Sequence, residues 1–171
     1  PGAVGYWRFS ARMILDFIRS ADHTIPQGKS ACFLMLAQCP PMKQIIAAVT
    51  LVVPSYDEAI GFLVGTLGFD LVEDTQLSPT KRWVLVAPSG STETRLLLAE
   101  AADENQRAAI GNQTGGRVCL FLQTDDFQRD YEAYLSRGVR FMETPRQEAY
   151  GTVAVFQDPF GNLWDLIEYH S

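Results

Sequence analysis

The chain has 171 residues, 47% of them hydrophobic and 20% charged, which is the size and balance of one globular domain and not of a disordered segment. A formal charge of -6 and a pI near 4.8 argue against nucleic acid or an anionic membrane surface as a partner, because a polyanion repels an acidic face. Cys32, Cys39 and Cys119 are odd in number and irregular in spacing, so they form neither a disulfide framework nor a paired-thiol motif, and the expected compartment is the reducing cytoplasm.

Residues 1–41 read as an N-terminal extension. Within it, Tyr6 to Ser20 sets Phe9, Met13, Phe17 and Ile18 near one helical face, ahead of a polar stretch from Ala21 to Ser30. The apolar run Ala31 to Ala37 is far too short to span a bilayer, and Gln38 stands where a lipoprotein cleavage box needs a small residue. Met42, directly after Pro40-Pro41, reads as the natural start, with the preceding segment derived from upstream sequence. His23, Cys32 and Cys39 lack the spacing of a zinc site.

Residues 42–171 form the expected domain, built from two similar units, 43–100 and 116–170, joined by a linker over 101–115. The first unit opens with a β-branched strand from Ile45 to Val53, stopped by Pro54. A helix follows: Ser55 and Glu58 have the spacing of a capping box, Ala59, Ile60, Phe62 and Leu63 give an apolar stripe, and Gly68 stands at the C-cap. Three strands come next, Phe69 to Glu73, Arg82 to Ala87 and Arg95 to Ala99, with a turn at Pro88-Ser89-Gly90. In the linker, the first half is predicted helical and Gly111 to Gly116 an irregular loop. Its Asn112, Gln113 and Thr114 either present donors to an anion or, as the cheaper reading, are simply solvated.

The second unit repeats the order at an offset of about 70 residues. Its opening strand is Val118 to Leu122, its helix begins at Asp125 and Asp126 and carries Tyr131, Tyr134 and Leu135 on the apolar face, and Gly138 ends it. The strands Arg140 to Glu143, Thr152 to Phe156 and Leu163 to Glu168 complete it, with Asp158-Pro159-Phe160-Gly161 suited to a type I turn.

Two βαβββ units in tandem, with Tyr56 to Phe62, Leu67-Gly68-Phe69 and Asp158-Pro159-Phe160-Gly161-Asn162-Leu163-Trp164 in place, resemble the vicinal-oxygen-chelate superfamily of glyoxalase I, bleomycin-resistance proteins and extradiol dioxygenases. The resemblance covers Lys43 to Tyr169. It implies an α+β fold whose two sheets curl around a shared cavity, commonly with a divalent metal in that cavity and commonly as a homodimer. At the positions where the family holds its metal, this chain has Ala48, Leu97, Arg117 and Asp165, and only Asp165 brings a metal-capable group. Both histidines, His23 and His170, fall outside the repeated strands, so neither a metal nor another cofactor is expected.

With Arg117 in the metal's place, its fixed charge is expected to pair with Asp165 or with a ligand carboxylate; a purely structural ion pair ranks equally. Strand alternation then sends Cys119 and Phe121 inward with Arg117. Arg82, Trp83, Arg95 and Tyr150 are further candidates for the cavity lining, Trp83 and Trp164 being weighed as ring-stacking or core residues. The expected function is enclosure of a small anionic or aromatic compound, in the manner of the family's drug-sequestering members. The alternatives are a lyase or dioxygenase with an atypical ligand set, with Asp165 or Tyr150 as acid or base, and an interaction module.

Overall fold

The computed structural model describes residues 44–170; the expected helix at Tyr6 to Ser20 and the His23, Cys32, Cys39 set lie outside them. In chain order the elements are β1 (Ala48–Val53), α1 (Tyr56–Ile60), β2 (Asp70–Ser78), β3 (Lys81–Ala87), β4 (Arg95–Glu100), α2 (Glu104–Ala109), β5 (Val118–Gln123), α3 (Phe127–Ser136), β6 (Arg140–Phe141), β7 (Arg146–Glu148), β8 (Gly151–Gln157) and β9 (Leu163–Tyr169). The first four strands form one sheet in the order β1-β4-β3-β2, with β1 parallel to β4. The other sheet runs β5-β9-β8-β6, with β5 parallel to β9 and the short β7 also paired to β8. The fold is thus α+β with two βαβββ sheets, curled but not closed around a cavity.

The local signals mostly work as their chemistry dictates. Gly68 and Gly138 end their helices at φ of 81° and 82°, a region an L side chain enters only at a cost. Asp126 caps α3 by accepting from the Arg129 amide, at 3.0 Å. The capping box at Ser55 does not form. Ser55 occupies the N-cap without a side-chain bond, and the Tyr56 amide instead donates to Glu100 at the end of β4, at 3.3 Å. After Ile60 the helix widens, and the Leu67 amide reaches five residues back to the Phe62 carbonyl at 3.0 Å, a π-helical geometry that no propensity signal announces.

Several strand bounds move. β1 starts at Ala48, leaving Ile45 and Ile46 exposed, whereas β2 runs on to Ser78 in pairing with β3. The strand expected at Arg140 to Glu143 shrinks to two residues because Glu143 turns its carboxylate back onto the Val155 amide, at 3.1 Å. On α3 the apolar face comprises the buried Phe127 and Tyr134 with the partly buried Tyr131 packed against the core, while Leu135 is exposed.

Both units contribute to one apolar core. Leu63 and Phe69 from the first meet Tyr134, Phe156 and Trp164 from the second. Trp164, 2% exposed, stacks on Phe156 at 5.7 Å between centroids and takes the edge of Phe69 at 6.3 Å, so it is a core residue. The turn expected at Asp158 is closed by the Gly161 amide donating to the Asp158 carbonyl at 3.1 Å. Its carboxylate is buried and accepts from Phe160 N, Asn162 N, Asn162 Nδ2 and Trp164 Nε1, at 3.0, 2.9, 2.8 and 3.2 Å. The motif's aspartate, asparagine and tryptophan are therefore one hydrogen-bonded unit that clips the last hairpin to the core.

Candidate functional site

Alternation along β9 sends Trp164 and Leu166 into the core and Asp165, Ile167 and Tyr169 to the sheet's other face, which is open at Phe121 and Tyr169 and largely closed over Asp165 and Ile167. Register fills in that face. Phe121, Asp165 and Val155 form one row across β5, β9 and β8; Gln123, Ile167, Val153 and Arg146 form the next. Phe121 is 65% exposed although it is a large apolar side chain, and Tyr169 at the far end of the face packs at 52° against Tyr150, 6.5 Å between centroids. Beside Phe121, an apolar cleft of about 200 Å³ runs between Val49 and Leu96 of the first sheet and Leu120 and Trp164 of the second.

Asp165 is the polar floor of this face. It is only 7% exposed, and its Oδ1 has no hydrogen-bond partner among the described residues. Burial pushes its carboxyl above the usual carboxylate range; the nearby Arg146 charge works against the rise and Glu143 adds to it. Arg146 itself is already engaged, its Nε donating to Glu148 at 2.9 Å and its Nη1 to Glu143. One guanidinium thus serves two carboxylates and reaches the third, Asp165, only as a field.

The corresponding row of the first sheet is Thr50, Leu97 and Leu85. Leu97 therefore occupies the place that Asp165 holds in the second sheet, and Thr50 that of Phe121. Among the described residues no three His, Cys, Asp or Glu side chains converge on one point. A lone carboxylate flanked by Phe121 and Val155 offers too few donors for a divalent ion, so the residues present do not fit the metal that the resemblance implies.

The other expected site residues separate. Arg117 is exposed, precedes β5, and makes no ion pair among the described residues; its carbonyl accepts from Thr114 Oγ1 at 2.6 Å. The expected pairing of Arg117 with Asp165 does not form. A bulge between Val118 and Leu120 also breaks the period-two count, so Phe121 reaches the open face independently of where Arg117 points. Arg82 bonds to Asp57 at 2.6 Å and to Asp74, with its guanidinium over the Tyr56 ring at 5.3 Å, and is committed to holding β3 against α1. Trp83, its neighbour, is 38% exposed on the first sheet, and Arg95 is exposed opposite Ala48. Phe121 and Asp165 share the second sheet, and Tyr150 lies in the turn between its strands β7 and β8. Sequence reasoning missed Glu143, Arg146, Glu148 and Tyr169; the alternating charges Glu143-x-x-Arg146-x-Glu148 were the available signal.

Two larger grooves, of about 570 and 410 Å³, lie near the ends of α1 and α3. Their cations are satisfied within the protein: Arg129 by Asp125 and Asp130, Arg137 by the Thr66 carbonyl and Arg140 by Gln157. The open face of the second sheet, with its unsatisfied carboxylate beside an exposed aromatic ring, is the better candidate.

Comparison with known proteins agrees with the fold. The model of the Glyoxalase/Bleomycin resistance protein/Dioxygenase superfamily matches residues 45–166. An uncharacterized protein of Shewanella frigidimarina (strain NCIMB 400) is 56% identical over 128 residues, 74% of this chain and 95% of its own. Among solved structures, UcmS2 is similar with a TM-score of 0.65 at 28% identity, over 74% of this chain and 98% of its own. TnmS3, an antibiotic binding protein from Streptomyces sp. CB03234, has a TM-score of 0.62 at 30% identity, over 77% of this chain and 100% of its own.

Proposed function

From the premise that the chain belongs to the Glyoxalase/Bleomycin resistance protein/Dioxygenase superfamily, we propose that it is a small-molecule-binding protein that takes up an aromatic compound on the open face of its second sheet, without a metal. The observation that carries this reading is the row Phe121, Asp165, Val155: an exposed ring beside a carboxylate that no side chain among the described residues serves, where a metal-dependent relative would need a ligand set. The likeness to TnmS3, an antibiotic binding protein, supports a small organic molecule as the ligand.

A homodimer belongs to this proposal. Phe121, Trp83 and Tyr169 leave apolar surface on both open faces, and a second copy is the partner that would cover them and wall the ligand in. A cytoplasmic location and the separate standing of residues 1–41 are proposed with it. No helix among the described residues is long and apolar enough to cross a membrane.

A thermal-shift screen of aromatic antibiotics, aromatic acids and glutathione conjugates, each with chelator and with added divalent metal, tests the reading. Stabilisation by an aromatic compound that is the same in chelator is the expected result. Stabilisation that appears only with metal would replace binding by a metal-dependent lyase or dioxygenase.

A further inference from the structure

We infer that the ligand of this face brings a hydrogen-bond donor, a hydroxyl or a protonated amine on an aromatic frame, and sets it against the carboxylate of Asp165. The inference rests on the binding reading above and narrows its ligand class. Three observations carry it. Asp165 is more than nine-tenths buried, lies on the open face by register, and accepts no hydrogen bond from any described side chain or amide. An ionised carboxylate is an acceptor only, so its complement is a donor.

Charge excludes the opposite choice. The groups facing Asp165 from neighbouring elements are Arg146 on β7 and Glu143 between β6 and β7, and Arg146 is shared between Glu143 and Glu148. One cation thus stands against three carboxylates, and an anionic ligand would meet a net negative floor with no free guanidinium among the described residues beside it. Arg117, the cation that would have favoured an anion, lies exposed before β5.

Shape supplies the rest. Phe121 flanks Asp165 in the same row, and Tyr169 lies four residues further along β9, about 13 Å away at strand rise. Val155 flanks Asp165 on its other side and is partly open, whereas Ile167 and Val153, further along the face, are buried. A flat aromatic body therefore fits at the Phe121 end, with that ring to stack on and one acceptor beside it.

The test uses the full chain and four naphthalene probes that differ in one group: naphthol, naphthylmethylammonium, methoxynaphthalene and naphthoate. Affinities are measured at neutral pH in chelator by amide chemical-shift titration. Naphthol and naphthylmethylammonium are expected to bind about tenfold tighter than methoxynaphthalene, the worth of one hydrogen bond to a charged group, with naphthoate weakest. In Asp165→Leu the donor preference collapses while methoxynaphthalene still binds. In Asp165→Asn, which keeps the shape and an acceptor oxygen, the ammonium loses its advantage and naphthol keeps part of its own. Naphthoate binding tightest, or a donor preference unchanged in Asp165→Leu, overturns the donor inference and leaves the binding reading standing. If none of the four probes binds this face, both fail.

Discussion

Gln113 lies alongside Val52 as one more residue of strand would: its Oε1 accepts from the Val52 amide at 2.8 Å and its Nε2 donates to the Val52 carbonyl at 3.1 Å. The same Nε2 lies 3.4 Å from Asn162 Oδ1, so one linker side chain joins the edge of β1 to the last hairpin of the second unit. Close packing reinforces the joint. Gly111, at φ 75°, sits so near the Phe160 carbonyl that a Cβ there would collide with it.

Replacing Gln113 with Ala strands a backbone donor and acceptor of β1 and is expected to cost about 1–3 kcal/mol. Glu at this position keeps the acceptor and loses the donor, so it rescues in part. Chemical denaturation of the three proteins checks the order: wild type, then Glu, then Ala. An Ala variant as stable as wild type would show the linker to be undocked.

Asp158 anchors four donors, two of them from Asn162 and one from the buried Trp164 ring. Asp158→Ala leaves these unpaired in the core, and a loss of about 3 kcal/mol or more is expected, read from urea unfolding. Asp158→Asn retains one acceptor oxygen and loses less. Equal effects of the two substitutions would mean that the carboxylate's second oxygen contributes nothing.

Asp165 has the opposite sign. Its folded pKa lies above its unfolded value, because burial disfavours the charged form. The folded state therefore holds the proton more tightly, and stability falls as pH rises from the ordinary carboxylate range through the raised value. Above that window the ionised group is a standing cost. Asp165→Asn is expected to raise the melting temperature of the ligand-free protein at neutral pH by roughly 2–4 °C, about 1 kcal/mol for a chain of this size. The gain shrinks as pH falls through that window and is lost by the ordinary carboxylate range, about pH 4, where wild-type Asp165 is already neutral in the folded protein. A variant less stable than wild type at neutral pH would show that the carboxylate is satisfied in the folded protein.

The tandem units, most strand centres, the two helix-ending glycines and the turn at Asp158 were legible because each is set by a local rule: alternation, positive φ, or turn chemistry. Asp165 was singled out through the resemblance, which marks its place in the last strand as a metal position. Arg117 was not, because the bulge after Val118 shifts the parity that carries a residue from one face to the other. The same limit hid Arg146, which lies in a three-residue strand that exists only by pairing with β8. Arg82 looked like a cavity cation in the sequence; its partners Asp57 and Asp74 are 25 and 8 residues away and come together only through the β2–β3 pairing and α1.

Amide chemical-shift mapping of the chelator-treated protein with naphthol tests binding at this face most directly. Shifts concentrated at Phe121, Asp165 and Val155, unchanged on adding a divalent ion, are expected. Shifts confined to the groove lined by Gly68 and Arg129, or appearing only once metal is added, would contradict it.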